Sequence, residues 1–366
     1  MEEPNRSGGG NVRVVQEIDS LAAIGSRGAG SEGERRAARQ LQQRLRDLGR
    51  DAELEPIRVR PMVELAHAIH ALAGIIASVL AVYAPAVGLA LAAFATVSAF
   101  GELTGTFRLV GALLPARASQ NVVSDQDTGR PGLIILVAHY DAPRTGMLNG
   151  RRAAAIWPRA LLVSLVLITL CSVGRLFGLE ATWFTVIQFL PTVVLIALVP
   201  ALVDAAIADT SEGECDNAAG VAAALRLTST RLEHFDLMVL LTGASAGYGL
   251  GMRQWLKQHR KTLEPSATAV VVLDDLAGST PAYVEKEGLV FASRMHPTLT
   301  ALAADLAAPV VSHDLSDAYL SRSAGLPTIR LTAPADERDP DIVTRVCDLA
   351  ADLLERIDDE IGPELA

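Results

Sequence analysis

Residue types that bind metal ions stand at the ends of apolar segments in this chain. His139 ends the apolar run 133–139, and Asp141 follows two residues later. Asp216 begins a helical segment, and Asp274 ends another apolar run. Open α/β sheets place their sites at such strand ends. Imidazole and carboxylate groups are zinc ligands, and an imidazole ligand needs an acceptor such as Asp141 to fix its tautomer. His139, Asp216 and Asp274 are therefore candidate metal ligands.

Each candidate also has an ordinary explanation when it is taken alone. Asp216 at a helix start is suited to capping the free N–H groups there, where the helix dipole also favours a carboxylate. Asp274 could be a strand-end aspartate that faces solvent, and a single His-x-Asp tripeptide is weak evidence. The order of the three along the chain, rather than any one of them, indicates a site.

The elements that position these residues include long uncharged segments. Half of the 366 residues are hydrophobic, the mean hydropathy is +0.30, and residues 71–101 and 181–203 carry no charged side chain. A bilayer requires roughly 20 apolar residues per helix. We therefore expect four transmembrane helices in two hairpins, one over 62–109 and one over 158–204, rather than buried core helices of a soluble domain.

Four spans place residues 12–60, 110–157 and 205–366 on one side of the membrane, where they form one domain; residues 1–11 are expected to be a disordered tail. The N-terminus lacks the apolar run of a signal peptide. Arginine flanks the spans almost entirely on the domain side, which predicts a multi-pass protein of the cytoplasmic membrane with a cytoplasmic domain. These arginines are Arg58, Arg60, Arg108, Arg117, Arg151, Arg152 and Arg159, against Arg175 on the other side.

The domain segments alternate apolar strands with helices, which predicts an α/β fold with a mainly parallel sheet. Strands are expected at 121–124, 133–139, 237–241, 267–273 and 328–331, with helices between them. Ser31 and Glu34 form the pattern of a capping box before a helix that Gly49 ends. The three cysteines, Cys171, Cys215 and Cys347, suggest no disulfide framework.

Several motifs together resemble the co-catalytic zinc aminopeptidases of metallopeptidase family twenty-eight, which include bacterial leucyl aminopeptidases and are related to glutaminyl cyclases. In chain order, the matching segments are Asn121-Val122-Val123, His139-Tyr140-Asp141, Asp216-Asn217-Ala218-Ala219-Gly220, Leu273-Asp274, Ser316-Asp317-Ala318 and Gly325-Leu326-Pro327. The resemblance implies a three-layer α/β/α sandwich of zinc-exopeptidase type. It also implies that His139, Asp216 as the bridging ligand and Asp274, or its neighbour Asp275, bind one zinc ion, with Asp141 orienting His139.

The chain departs from the family where the second zinc ion and the general base belong. The family's Gly-Ala-Glu-Glu aligns with Gly243-Ala244-Ser245-Ala246, so Ser245 replaces the base and Ala246 replaces a ligand. Ala318 stands where the last histidine ligand is expected. The resemblance thus implies a membrane-anchored zinc-peptidase-like protein with one metal half-site, non-catalytic or weakly active.

Two other functions stay open from the sequence. The first is an active one-metal exopeptidase or hydrolase, for which a shifted His313 could supply a ligand. The second is a serine hydrolase, since residues 243–247 satisfy the Gly-x-Ser-x-Gly pattern, with Ser245 as nucleophile and Asp274 and His313 following in triad order. The net charge of −10 argues against a nucleic-acid partner. A peptide or protein terminus at the membrane is the expected partner.

Overall fold

A nine-stranded mixed sheet forms the centre of the domain in this computed structural model, which describes residues 16–125, 128–148, 150–211, 217–334, 339 and 341–361. The predicted tail, residues 1–11, lies outside the described residues. The strands are β1 (Glu53–Val59), β2 (Arg117–Ser124), β3 (Gly132–His139), β4 (Phe235–Thr242), β5 (Thr268–Leu276), β6 (Ala282–Glu287), β7 (Ser293–Arg294), β8 (Ala308–Ser312) and β9 (Thr328–Ala333).

The sheet order is β1-β2-β4-β3-β5-β9-β6-β7, and β8 pairs with β6. The central strands β4, β3, β5 and β9 run parallel to one another, which confirms the predicted α/β class with a mainly parallel sheet. Their apolar runs follow from burial on both faces. In β3, Ile134 and Leu136 enter the core on one face, and Ile135 and Val137 enter the core on the other.

Helices cover both faces of the sheet, so the domain has the predicted three layers. Helix α1 spans residues 16–22. The others are α2 (Glu32–Asp47), α3 (Val63–Tyr83), α4 (Pro85–Leu103), α5 (Arg151–Leu176), α6 (Thr182–Ile207), α7 (Ala218–Leu227), α8 (Leu250–His259), α9 (Pro297–Ala304), α10 (Asp317–Ser323) and α11 (Ile342–Arg356). Helices α2, α7, α9 and α11 share the core of one face, and α8 and α10 share that of the other.

The described residues include four helices long and apolar enough to cross a membrane: α3, α4, α5 and α6. They pack together around small and apolar side chains such as Ala95, Leu165 and Leu195. Gly88 makes the first hairpin close, because a Cβ there would lie 2.4 Å from the backbone nitrogen of Ala81. Large apolar side chains point outward from all four helices, for example Val79, Val97, Leu170 and Phe189.

A buried polar network joins three of these helices. Gln188 of α6 accepts from Arg175 Nε of α5 (3.0 Å) and donates to the backbone oxygen of Ser78 in α3 (2.6 Å). Thr192 lies 2.8 Å from the hydroxyl of Ser78. Arg175, which the sequence places in the turn between spans, therefore folds back into the bundle and is only 6% exposed.

Several elements differ from the sequence prediction. The sequence does not predict strands β1, β6, β7 and β8. Strands β1 and β6 contain charged residues, β1 also contains Pro56 on a sheet edge, and β7 and β8 are short. Helix α5 begins at Arg151, before the predicted start at Pro158, which lies inside the helix. Helix α6 likewise continues to Ile207.

Candidate functional site

The carboxyl ends of β3 and β5 bring His139 and Asp274 together. His139 Nε2 lies 3.1 Å from Asp274 Oδ1, and His139 Nδ1 lies 3.2 Å from the backbone oxygen of Asp141. The parallel pairing of β3 and β5 places both side chains at the same sheet edge. Asp274, rather than Asp275, is thus the aspartate that meets His139. Asp216, the third predicted ligand, lies outside the described residues.

Electrostatics in this pair favour the charged forms of both side chains. Burial alone would lower the pKa of His139, but the carboxylates of Asp274 and Asp141 raise it well above its usual range. Burial would raise the pKa of Asp274, yet Arg330 and His139 hold it well below its usual range. The pair is therefore an ionic cluster rather than two neutral groups.

Asn217 closes the site from the start of α7. Its Nδ2 donates to the backbone oxygens of His139 (3.2 Å) and Leu273 (3.0 Å), so it bridges the ends of β3 and β5. Its backbone is left-handed, with φ of 49°, a conformation that asparagine tolerates. Gly220 completes the turn, because a Cβ there would lie 2.3 Å from Asn217 Oδ1. Asn217 and Gly220 of the Asp-Asn-Ala-Ala-Gly motif therefore have a local structural role.

The loop 243–247 follows β4 and lies against Asp141. Asp141 Oδ1 accepts from the backbone N–H groups of Ser245 (2.9 Å) and Ala246 (3.1 Å). On its other side, Glu34 Oε1 accepts from the backbone N–H of Ala244 at 2.8 Å, which supports the left-handed φ of 51° at that residue. Two carboxyl groups from outside the loop, those of Asp141 and Glu34, thus bond to its backbone. In the family that the sequence resembles, the loop itself carries two glutamates at the corresponding positions.

The position of the missing histidine is closed by packing. Ala318 is fully buried in an apolar cluster with Met252, Trp255 and Leu320. Beside it, Asp317 Oδ2 accepts from Thr242 Oγ1 at 2.5 Å. Burial raises the pKa of Asp317 to about 6. Sequence patterns alone assign Asp317 no role beyond its place in the motif.

Arg330 is the main site residue that sequence reasoning missed. It points from β9, is 3% exposed, and lies 3.0 Å from Asp274 Oδ2 and 3.1 Å from Glu287 Oε1. Asp314 Oδ2 accepts from it at 3.2 Å. The available signal was an arginine within the apolar strand Thr328–Ala333, since a buried charge requires partners. Burial raises the pKa of Glu287 to about 7, although Arg330 opposes this.

These residues line a cavity of about 570 Å³ at the carboxyl edge of the sheet. Its polar wall includes His139, Asp274, Asp317 and Arg330, and its apolar wall is formed by side chains such as Val284, Val310 and Ala154. Ala154 belongs to α5, so one of the four apolar helices contributes directly to the cavity. The volume lies within the range of small-molecule sites.

The described residues fit one zinc position in part and the second not at all. Two donors of one tetrahedral zinc ion, each bonded at about 2.0–2.1 Å, lie about 3.3 Å apart, close to the 3.1 Å between His139 Nε2 and Asp274 Oδ1. The described part of the chain, however, contains no group of three or more His, Cys, Asp or Glu that could hold a metal ion. At the second position, Ala246 and Ala318 offer only methyl groups.

The structure does not bring the residues of the serine-hydrolase alternative together. Ser245 is 3% exposed, and its Oγ accepts from the backbone N–H of Met252 at 3.4 Å. His313 Nδ1 instead accepts from Arg159 at 3.0 Å, and none of the described hydrogen bonds joins it to Ser245. Asp274 is engaged by His139 and Arg330.

No family model and no curated protein sequence matches the chain. The fold is similar to that of Fimbriiglobus ruber glutaminyl cyclase, at 14% identity over 94% of each chain with a TM-score of 0.51. It is also similar to a zinc aminopeptidase from Bacillus subtilis (12% identity, 97% of each chain, TM-score 0.51). A leucine aminopeptidase precursor from Bacteroides thetaiotaomicron gives 12% identity, 94% and 96% coverage, and a TM-score of 0.50. At these identities the likeness shows the zinc-exopeptidase fold alone.

Proposed function

We propose that this chain is a membrane-anchored protein of exopeptidase fold whose cavity binds the end of a peptide or protein without hydrolysing it. The observation that carries the proposal is the pair of methyl groups at Ala246 and Ala318. The family resemblance requires a carboxylate ligand and an imidazole ligand at these two positions. Neither methyl group can bind a metal ion, and apolar packing also encloses Ala318, so a two-metal mechanism is not expected.

The general base is missing as well. Ser245 occupies its position, and the Ser245 side chain is buried rather than directed into open space. A positioned base contributes about 10²–10⁴-fold to a hydrolytic rate. Asp141, a buried carboxylate beside this loop, already accepts from the backbone N–H groups of Ser245 and Ala246. Turnover by the ordinary aminopeptidase route is therefore not expected.

One metal position belongs to the proposal, with His139, Asp274 and Asp216 as its ligands. The 3.1 Å separation of the two described donors supports it, as does the backbone acceptor that Asp141 offers to the second ring nitrogen of His139. A zinc ion bound there would polarise a ligand carbonyl. Arg330 would then hold Asp274 in place through its other oxygen.

We propose further that α3 to α6 cross the cytoplasmic membrane and that the domain lies on its cytoplasmic side. The arginines that flank the spans support this orientation. Ala154 of α5 lines the cavity, and Arg159 of the same helix donates to His313 at the cavity wall. The cavity therefore opens close to the membrane surface, which suits the terminus of a membrane protein or of a membrane-bound peptide.

The first test is hydrolysis by the detergent-purified full chain of aminoacyl substrates with a chromogenic leaving group. We expect no release of the leaving group above background, with or without added zinc. Zinc-dependent release that a chelator abolishes would overturn the non-catalytic assignment and favour a one-metal hydrolase. Zinc content, measured by mass spectrometry on the wild type and on Asp274→Asn, tests the metal position, with about one ion expected only in the wild type.

The second test measures binding of fluorescent peptides with free or acetylated N-termini. Ala154→Phe narrows the cavity and should weaken binding of the free terminus. Ile156→Phe is the matched control, because Ile156 lies on the same helix and is 64% exposed. Equal binding by both variants would contradict the assignment of the cavity as the binding site.

A further inference from the structure

The turn between β6 and β7 carries apolar side chains beside the four apolar helices. Leu289 and Val290 pack against the same hydrophobic cluster as those helices, although they belong to the domain. Phe291 at the tip is 61% exposed. The turn is tight, since Gly288 has φ of 151° and a Cβ there would lie 2.1 Å from the backbone oxygen of Phe291. An exposed phenylalanine on a short turn therefore stands next to the surface that faces lipid.

The position of Phe291 along the helices is fixed by a ring contact. Its ring centroid lies 6.3 Å from that of Phe100 in α4. Phe100 is itself 41% exposed and stands one turn before the end of α4 at Leu103. The turn therefore lies at the depth where a spanning α4 would leave the membrane. Aromatic side chains are enriched at this depth in membrane proteins.

Two cations stand immediately behind the turn. Lys286 of β6 and Arg294 of β7 are directly opposite in the antiparallel register, so their side chains share one face of the hairpin. Like charges in such a pair are destabilising, and within the described part of the chain neither side chain forms an ion pair. An external anion would relieve this repulsion.

We infer that the β6–β7 turn inserts into the lipid leaflet on the domain side, with Phe291 among the upper acyl chains and Lys286 and Arg294 on anionic headgroups. The inference rests on the membrane anchoring in the proposed function. An apolar tip flanked by basic residues suits the membrane interface, where apolar side chains enter the acyl boundary and basic side chains are attracted to an anionic surface. Continuity with the lipid-facing helices identifies lipid as the occupant.

Glu287 connects the proposed membrane contact to the candidate site. Glu287, which follows Lys286, accepts from Arg330 at 3.1 Å and from the backbone N–H of Ser316 at 3.1 Å. Arg330 in turn holds Asp274. The membrane contact and the charged wall of the cavity are therefore adjacent in the same strand.

Nitroxide accessibility measures the insertion. The full chain, with its three cysteines replaced by alanine, receives a single cysteine by Phe291→Cys and is labelled in lipid nanodiscs that contain phosphatidylglycerol. We expect the ratio of oxygen to nickel-chelate accessibility at this site to be several-fold higher than at Lys261→Cys, an exposed domain position. Val97→Cys, on a 55% exposed residue of α4, reports the acyl region.

The outcomes separate the two proposals. If the accessibility ratio at position 291 equals that at position 261, while the ratio at position 97 stays high, the insertion is overturned and the membrane anchoring remains supported. Nickel access at 97 as well would overturn both. Adding Lys286→Gln and Arg294→Gln should lower the ratio at 291 in phosphatidylglycerol discs but not in phosphatidylcholine discs. An unchanged ratio in both would overturn the role of anionic headgroups.

Discussion

Asp274 Oδ2 lies 3.0 Å from the Nη2 atom of Arg330, so a predicted metal ligand is also one partner of a buried guanidinium. The other oxygen of Asp274 faces His139 at 3.1 Å. The Arg330 side chain is 3% exposed and that of Asp274 is 14% exposed, so the ion pair is largely removed from solvent. The pair therefore contributes to the stability of the domain as well as to the candidate site.

Removing one partner of a buried ion pair leaves the other charge without compensation. We expect Arg330→Gln to lower the free energy of unfolding by about 3–5 kcal/mol, because Glu287 would lose its buried cation and Asp274 would keep only His139. Urea titration of the detergent-solubilised protein measures this change. Arg356→Gln is the control, since its pair with Asp305 is exposed and is worth about 0–1 kcal/mol. Equal losses in the two variants would contradict the prediction.

Asp317 should give the stability a pH dependence. Its folded pKa is about 6 against an ordinary value of 3.8, so the folded state holds this proton more tightly than the unfolded state. The stabilisation is complete below pH 3.8 and is lost as the pH rises to about 6, amounting to at most about 3 kcal/mol. Unfolding titrations at several pH values should therefore show the wild type losing stability relative to Asp317→Asn across this window. If the difference in unfolding free energy between the wild type and Asp317→Asn is the same at every pH, the raised pKa of Asp317 is contradicted.

Restoring a ligand side chain should destabilise the protein more at position 318 than at position 246. Ala318→His inserts a ring into an apolar cluster, and overpacking of this kind costs about 1–3 kcal/mol. Ala246→Glu adds a side chain beside the cavity and should cost less. Melting temperatures of the two variants test the order. A stable Ala318→His protein that binds a second zinc ion would show that the position is open.

The polar network among the apolar helices should stabilise their packing. Gln188→Leu removes its hydrogen bonds to Arg175 and Ser78. Hydrogen bonds between transmembrane helices are worth about 0.6–2 kcal/mol, so the variant should unfold at a lower fraction of denaturing detergent. Phe189→Leu is the control, because Phe189 is 57% exposed and changes only the outward-facing surface. Unfolding at the same detergent fraction would show that the network is not stabilising.

The parts of the fold that sequence predicted are those with a strong periodic signal. The apolar runs of β3, β4, β5 and β9 and the uncharged segments of α3 to α6 are examples, because burial on both faces or exposure to lipid requires continuous apolar sequence. Strand β1, with Pro56 and alternating charges, is held by its antiparallel pairing with β2. Because this stabilisation comes from tertiary contacts, the sequence of β1 shows no periodic apolar pattern.

The candidate site was predictable where residues follow one another and not where distant segments meet. His139, Asp141 and Asp274 stand in motifs at strand ends. The sequence predicts Ser31 and Glu34 as a capping box, and Ser31 does cap α2. The carboxyl group of Glu34 also accepts from the backbone N–H of Ala244, which is 210 positions away. Arg330 likewise depends on partners from three separate segments.

The path of the chain between His139 and Asn217 sets an order for biogenesis. These residues share a hydrogen bond of 3.2 Å, yet the chain between them includes α5 and α6. When β3 leaves the ribosome, its neighbours β4 and β5 and helix α7 have not been made. In the proposed membrane arrangement, the nascent domain must therefore keep an apolar strand unpaired while two hydrophobic helices enter the bilayer. On that proposal, insertion of this hairpin precedes completion of the sheet, so a failure of insertion becomes a failure of the domain to fold.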